Sequence, residues 1–562
     1  MKKSKRVLII GLDGATWDVL APWLDDGSLP HLARLRQMGC WGELLSTIPP
    51  LTAPAWSTFA TGKNPGKHGV FHFVQADNPG NAANGKPLIV DNRSIKAATL
   101  WDILGHHGRQ VGLVNIPMTY PPRPVNGFMI ACFLTPPNAP FFTYPHELSR
   151  QLTDYQIDLD RFISHKPFAR DSEEPPNVAP SLELMQEFEH MEEKRARTAL
   201  GLMKTEPWDM FMVVFTATDR MGHYLWPYHR LVDSDGSPEW QELHQAVRQF
   251  YIKLDEAVGA MIQEAGDDTT VVVMSDHGMG WNHSKLVYWN LWLHQKGLLS
   301  TQGDVTNPDG WLMRLKLPRD RIAQVVRQVM PTSLRKKVIR QARTNRSLTF
   351  NPAHTRAYYK TIYQSVGGIY INLKGEAKER LCDELMEAVK GVVDPGTGQP
   401  VVQEVYRGSD CYHGPYANNV PDIVLVMDRR YAGDGKLSYY SSIVTDLPVK
   451  EKRDPGGHKM EGIFIAKGPD IEAIPQGLPR LSIQDVAPTV LHLMGLPVPA
   501  DMDGRVLAEI LKPAALQQQP ISSGPELGMW PSQAEAQALD GVDSPSDDET
   551  VQERLRALGY LE

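Results

Sequence analysis

The stretch Arg6-Val-Leu-Ile-Ile-Gly-Leu-Asp13-Gly14 decides the fold. After Arg6 it runs through Val7, Leu8, Ile9 and Ile10 without polar alternation, as a strand buried on both faces of a parallel sheet does. It then breaks at Gly11 and delivers a carboxylate, Asp13, where the carboxyl ends of parallel strands open a crevice. Comparable runs recur from Gln110 to Val114, Met210 to Phe215, Thr270 to Met274 and Ile423 to Met427. Helical patterns lie between and beyond them, over 29–38, 182–203, 240–265 and 486–494. This alternation predicts an α/β fold, a mostly parallel central sheet flanked by helices.

Composition bounds the rest. With 562 residues, 42% hydrophobic and 22% charged, the chain is a globular one with a sizeable core; disordered and fibrous classes are excluded. A net charge of −8 lacks the basic footprint that phosphate neutralisation requires, so nucleic acid is not an expected partner. Cys40, Cys132, Cys382 and Cys411 form no CxxC pair and suggest neither a zinc knuckle nor a disulfide framework, which fits a reducing compartment. The apolar stretch after the basic opening is only Val7 to Ile10, and no run approaches the ~20 residues of a membrane span. A cytoplasmic location is expected, with peripheral membrane contact left open.

The expected organisation is one catalytic core, 1–119, 182–300 and 347–511, carrying inserted cap segments. A proline- and aromatic-rich insertion occupies 120–181, with Pro121, Pro122, Pro136, Pro137, Pro175 and Pro176. A basic helical insertion occupies 301–346, where residues 313–346 hold eleven Lys or Arg against one acid, Asp320. Such a stretch is read either as a solvated face or as a surface for an anionic membrane or polyanionic substrate. Residues 512–562 read as a polar linker and a terminal docking helix, with Val551, Leu555 and Leu558 at helical spacing and Ser546 and Glu549 placed as a capping box.

The chemistry-bearing residues follow strands or sit in glycine turns. Asp13 follows the first run, Asp219 and His223 follow Met210 to Phe215, and Asp276 and His277 follow Thr270 to Met274. His458 stands in Pro455-Gly-Gly-His458. An i, i+4 spacing puts Asp219 and His223 on one helical face. Together these are three carboxylates and three imidazoles, a donor set for two zinc-like ions. Each piece alone also reads blandly, as a helix cap, a surface histidine or a loop residue. Thr52, between Pro49-Pro50 and Pro54 at a helix start, reads either as a nucleophile facing a phosphoryl group or as an N-cap. Tyr120-Pro121-Pro122 and Trp226, Tyr228 and His229 are candidates for a substrate wall, with core packing the alternative for Trp226.

Taken jointly, Gly11-Leu-Asp13-Gly, Thr52-Ala-Pro with Thr61-Gly62, Pro65 and His68-Gly69, Asp219-Arg-Met-Gly-His223, Ser275-Asp276-His277-Gly278 and Gly457-His458 resemble the type I phosphodiesterase and nucleotide pyrophosphatase group of the alkaline phosphatase superfamily. Asp485-Val-Ala-Pro-Thr-Val-Leu-His-Leu-Met-Gly-Leu-Pro and the closing Leu555-Arg-Ala-Leu-Gly-Tyr-Leu561 resemble it as well. The resemblance implies an alkaline-phosphatase-like sheet with two divalent ions at its carboxyl edge, zinc first and manganese or iron as alternatives. It implies that Asp13, Thr52, Asp276 and His277 bind one ion, that Asp219, His223 and His458 bind the other, and that Thr52 is the nucleophile. The implied activity is hydrolysis of phosphodiester or pyrophosphate bonds in a small-molecule or lipid-linked phosphoester, through a phosphothreonine. A phosphotransferase or phosphomutase of the same superfamily and a non-catalytic metal-binding scaffold are the alternatives. Sulfatases carry Cys or Ser at the nucleophile and Arg four residues on. Thr52 and Trp56 stand there, which disfavours sulfate esters. No Asn lies between Thr52 and Asn64, which leaves a nucleotide substrate open.

Overall fold

The computed structural model describes residues 5–75, 88–159, 178–229, 237–301, 351–436, 442–447, 455–527, 544–557 and 560. The basic stretch 313–346 and Leu558 lie outside the described residues. The chain divides into two compact units, one comprising 1–282, 411–419 and 449–562, the other 283–410 and 420–448.

The first unit is built on a nine-stranded sheet. Its order, edge to edge, is Ile474–Ser482, Cys40–Leu45, Glu461–Lys467, Thr269–Met274, Arg6–Leu12, Met210–Phe215, Val111–Val114, Gly127–Ile130 and Thr143–Tyr144. Around Arg6–Leu12 the pairing is parallel on both sides, with Gly11 opposite both Val214 and Met274. Only Glu461–Lys467 and Thr143–Tyr144 run antiparallel to their neighbours. The three central strands are buried on both faces because helices cover them, so their sequences are apolar throughout. The core on one side gathers Trp56, Phe59, Trp101, Met212, Val214, Val490 and Leu491. On the other, helices Val178–Thr205 and Pro238–Ala265 pack together.

Register places the polar residues. Because Leu12 lies opposite Phe215 and Gly11 opposite Met274, the segments beginning at Asp13, Thr216 and Ser275 leave the sheet at one edge. Gly14 has φ +67°, and a Cβ there would come within 3.0 Å of the Asp219 backbone. Only glycine lets the first loop pass that close.

The second unit holds a four-stranded sheet ordered Ala357–Tyr363, Val366–Ile371, Ile423–Met427, Val402–Arg407. Ile423–Met427, read from sequence as a parallel strand of the main sheet, is antiparallel to both its neighbours here. It is fully buried, and a short run without alternation looks the same in either setting.

The terminal helix runs Glu549–Ala557, with Val551 and Leu555 buried. The expected capping box does not form. The Ser546 hydroxyl accepts from Ile89 N at 2.8 Å, and Asp548 Oδ1 accepts from Val551 N at 3.1 Å. Ser546 tethers the segment to the body while Asp548 caps the helix.

Candidate metal centre

All seven expected site residues meet at the carboxyl edge of the sheet, and all are buried. Thr52 is the first residue of helix Thr52–Thr61, following the extended Leu51, so its hydroxyl stands at the positive end of the helix. Asp219 and His223 share one face of helix Ala217–Leu225. His458 is carried by strand Gly456–Lys459, which pairs antiparallel with Gly278–Trp281, directly after His277. A Cβ on Gly456 would fall 1.9 Å from Gly222 O, so the missing side chain is what lets this strand seat against the Asp219 helix. Trp226 packs beside the same glycine and stacks on His229 at 5.3 Å; it is a buried packing residue, as are Tyr228 and His229.

Two groups of donors result. In one, His223 Nε2 lies 2.9 Å from His458 Nε2, and Asp219 Oδ1 lies 3.2 Å from His458 Nε2 and 3.6 Å from His223 Nε2. In the other, His277 Nε2 lies 3.3 Å from Asp276 Oδ2, 3.8 Å from Asp13 Oδ1 and 3.4 Å from Thr52 Oγ1. His277 and His458 stack at 3.7 Å and join the groups.

The surroundings orient these atoms. His458 Nδ1 meets Pro50 O at 2.8 Å and His277 Nδ1 meets Gly278 O at 3.2 Å. A carbonyl only accepts, so each Nδ1 carries the hydrogen and each Nε2 lone pair faces the centre. Trp56 donates its indole N–H to Asp13 Oδ2 at 3.1 Å, and Gly14 N–H donates to Asp276 Oδ1 at 3.2 Å. The remaining oxygens, Asp13 Oδ1, Asp276 Oδ2 and Asp219 Oδ1, are buried and accept no hydrogen bond.

Electrostatics points the same way. Burial, reinforced by Asp276 and Asp219, pushes the Asp13 carboxyl well above the usual range. Burial and the Asp219 charge push Asp276 up to about 7. Burial and the neighbouring His458 hold His277 neutral, well below an ordinary imidazole. Asp219 moves the other way, because attraction to His223 and His458 outweighs its burial. Crowded carboxylates with unsatisfied oxygens beside the neutral His277 imidazole are unfavourable without a cation and well matched to one. The nitrogen and oxygen donors therefore fit divalent transition ions.

Several contributors were not among the expected site residues. Trp56 was noted only for standing where sulfatases carry arginine, and its indole instead fixes Asp13. Asn64 receives Gly66 N–H and donates to His413 O and Asp503, so its amide is engaged in tying its loop to two distant segments. Tyr560 brings its hydroxyl to 3.2 Å from Thr52 Oγ1. The closing Leu-Gly-Tyr-Leu was its only signal in the sequence, and nothing there says that it reaches the site.

A search of curated proteins returns no match. Among solved structures, human ectonucleotide pyrophosphatase / phosphodiesterase 5 is 16% identical with TM-score 0.46, covering 92% of this chain and 99% of its own. Phosphonoacetate hydrolase from Sinorhizobium meliloti 1021 is 16% identical with TM-score 0.47, covering 86% of this chain and 94% of its own. The family model described as type I phosphodiesterase / nucleotide pyrophosphatase matches residues 7–442, a span holding six of the seven site residues, and the fold adds His458. The chain belongs to the type I phosphodiesterase / nucleotide pyrophosphatase family of hydrolases.

Proposed function

We propose that the protein hydrolyses phosphodiester or pyrophosphate bonds of small phosphoesters in two displacements through a phosphothreonine-type ester at Thr52 that keeps the substrate's other substituent on phosphorus. One observation carries the reading. A buried hydroxyl at a helix N-terminus faces a cluster of three carboxylates and three imidazoles, in which Asp13 Oδ1, Asp276 Oδ2 and Asp219 Oδ1 are buried and accept no hydrogen bond. Asp13, Thr52, Asp276 and His277 would hold one divalent ion, and Asp219, His223 and His458 the other. When bound, the ions neutralise charge on the phosphoryl group and lower the pKa of an attacking alcohol or water. Zinc suits these donors best.

Thr52 Oγ1 attacks phosphorus in line as the alkoxide; the Oγ–P bond forms and the bond to the leaving oxygen breaks. Water then attacks the same phosphorus, the Oγ–P bond breaks, and the phosphomonoester leaves. Asp13 is kept in orientation by the Trp56 indole and Asp276 by Gly14 N–H, so the donors are preorganised. Three carboxylates and a threonine alkoxide balance two divalent ions, which favours a singly charged diester over a dianionic monoester.

The basic stretch 313–346 extends the proposal to lipid-linked phosphoesters at an anionic surface. Four cysteines outside any disulfide suit a reducing, cytoplasmic setting. A substrate panel on the zinc-reconstituted protein tests the reading. It contains aryl monoesters, aryl diesters, a nucleotide pyrophosphate, and a lipid-linked diester in anionic vesicles. Diesters or pyrophosphates should be turned over in preference to monoesters. Turnover of monoesters alone would contradict the reading, and products formed on added alcohol would favour phosphotransfer.

A further inference from the structure

Tyr560 stands 508 positions from Thr52 in sequence and reaches it in space. Its hydroxyl lies 3.2 Å from Thr52 Oγ1, 3.4 Å from Asp219 Oδ2 and 3.5 Å from His458 Nε2. The ring stacks on Phe73 at 4.5 Å with 21° between planes, and the residue is buried. The phenol therefore touches the nucleophile and two members of the Asp219 group.

The helix Glu549–Ala557, which precedes Tyr560 in sequence, is held by buried contacts. Arg554 donates to Phe133 O at 2.9 Å and Thr135 O at 3.0 Å, and its Nε lies 3.5 Å from Asp158 Oδ2. Asp158 accepts from both terminal guanidinium nitrogens of Arg220, the residue after Asp219. Removing one partner from such a buried set strands an uncompensated charge. Tyr560 N–H also closes on Leu555 O at 2.8 Å. These contacts seat Tyr560 beside Thr52 and Asp219.

In-line displacement places the leaving oxygen opposite the attacking one. A group beside Thr52 Oγ1 faces the equatorial oxygens instead. Resting on the nucleophile assignment above, we propose that Tyr560 is a catalytic residue whose phenol O–H donates to an equatorial oxygen of the phosphoryl group on Thr52. Tyr560 thereby adds a donor beside the nucleophile.

Tyr560→Phe keeps the ring and its stack on Phe73 and removes only the hydroxyl. It should lower kcat for aryl diesters about 10²-fold, as loss of one preorganised donor does. The loss should be the same for good and poor leaving groups, and metal content and Tm should match the wild type. Inorganic phosphate, titrated by calorimetry into the metal-loaded protein, should bind roughly tenfold more weakly to the variant, the worth of one hydrogen bond to a charged group. Unchanged turnover and unchanged phosphate affinity would overturn the proposal. Raised turnover would make the segment an inhibitory plug, and a loss confined to poor leaving groups would move the proton to the leaving oxygen; either overturns it. If the wild type hydrolyses none of the esters, the underlying reading fails, while the phosphate titration still decides whether Tyr560 meets a phosphoryl oxygen.

Discussion

Thr52→Ala should reduce phosphodiester turnover on the order of 10⁴-fold or more, the scale seen when a covalent nucleophile is removed. Metal content should survive largely intact, because the remaining donors are three carboxylates and three imidazoles held by their own backbone and side-chain contacts. The substitution should also be structurally mild. Thr52 opens its helix with no side-chain cap hydrogen bond; Leu51, not Thr52, is the N-cap. A threonine acting merely as a helix cap would lose about 1 kcal/mol of stability and leave turnover alone. Kinetics and metal analysis on one preparation separate these outcomes, and undiminished turnover would remove Thr52 from the mechanism.

His458→Ala and Asp219→Ala should each release one equivalent of metal and lower activity by at least about 10²-fold. The His458 imidazole is fixed by Pro50 O and lies 2.9 Å from His223 Nε2, so its loss opens the group that Asp219 completes. The Asp276 group should keep its ion. The same measurement in the wild type carries a pH signature. Asp276, raised to about 7 by burial and the Asp219 charge, holds a proton below that pH in the metal-free protein, and Asp13 is raised as well. An entering ion must displace those protons, so affinity should rise with pH through about 7, up to tenfold per unit per proton displaced. Equal metal retention at pH 5.5 and 7.5 would contradict this linkage.

The catalytic face was legible in sequence for a physical reason. Strands such as Met210–Phe215 and Thr269–Met274 are covered on both faces, so their apolar runs end sharply, and the polar residues that follow stand at the crevice. Asp13, Asp219, Asp276 and His277 could be placed that way. His458 could not, because strand Gly456–Lys459 is short, polar and paired outside the main sheet. Glu461–Lys467 enters that sheet antiparallel between Cys40–Leu45 and Thr269–Met274, a crossing that no local pattern announces. Ile423–Met427 shows the converse: its run was read correctly as a buried strand and assigned to the wrong sheet.

Contacts between distant side chains were the least legible. The Trp56 indole on Asp13, the Asp158 bridge between Arg220 and Arg554, and the Tyr560 phenol on Thr52 each join residues separated by dozens to hundreds of positions. Periodicity reports which face of an element is buried, not which partner it meets there. The capping box expected at Ser546 and Glu549 failed for a related reason. Ser546 has a tertiary partner in Ile89, and the nearby Asp548 is free to cap the helix.

The central claim is double displacement at Thr52, and the stereochemistry at phosphorus tests it most directly. A phosphorothioate diester of known configuration, hydrolysed in ¹⁸O-water by the zinc-reconstituted protein, should give the monoester with net retention, because each of two in-line displacements inverts the centre. Net inversion would mean that water attacks the substrate directly, and the account of Thr52 as nucleophile would be wrong.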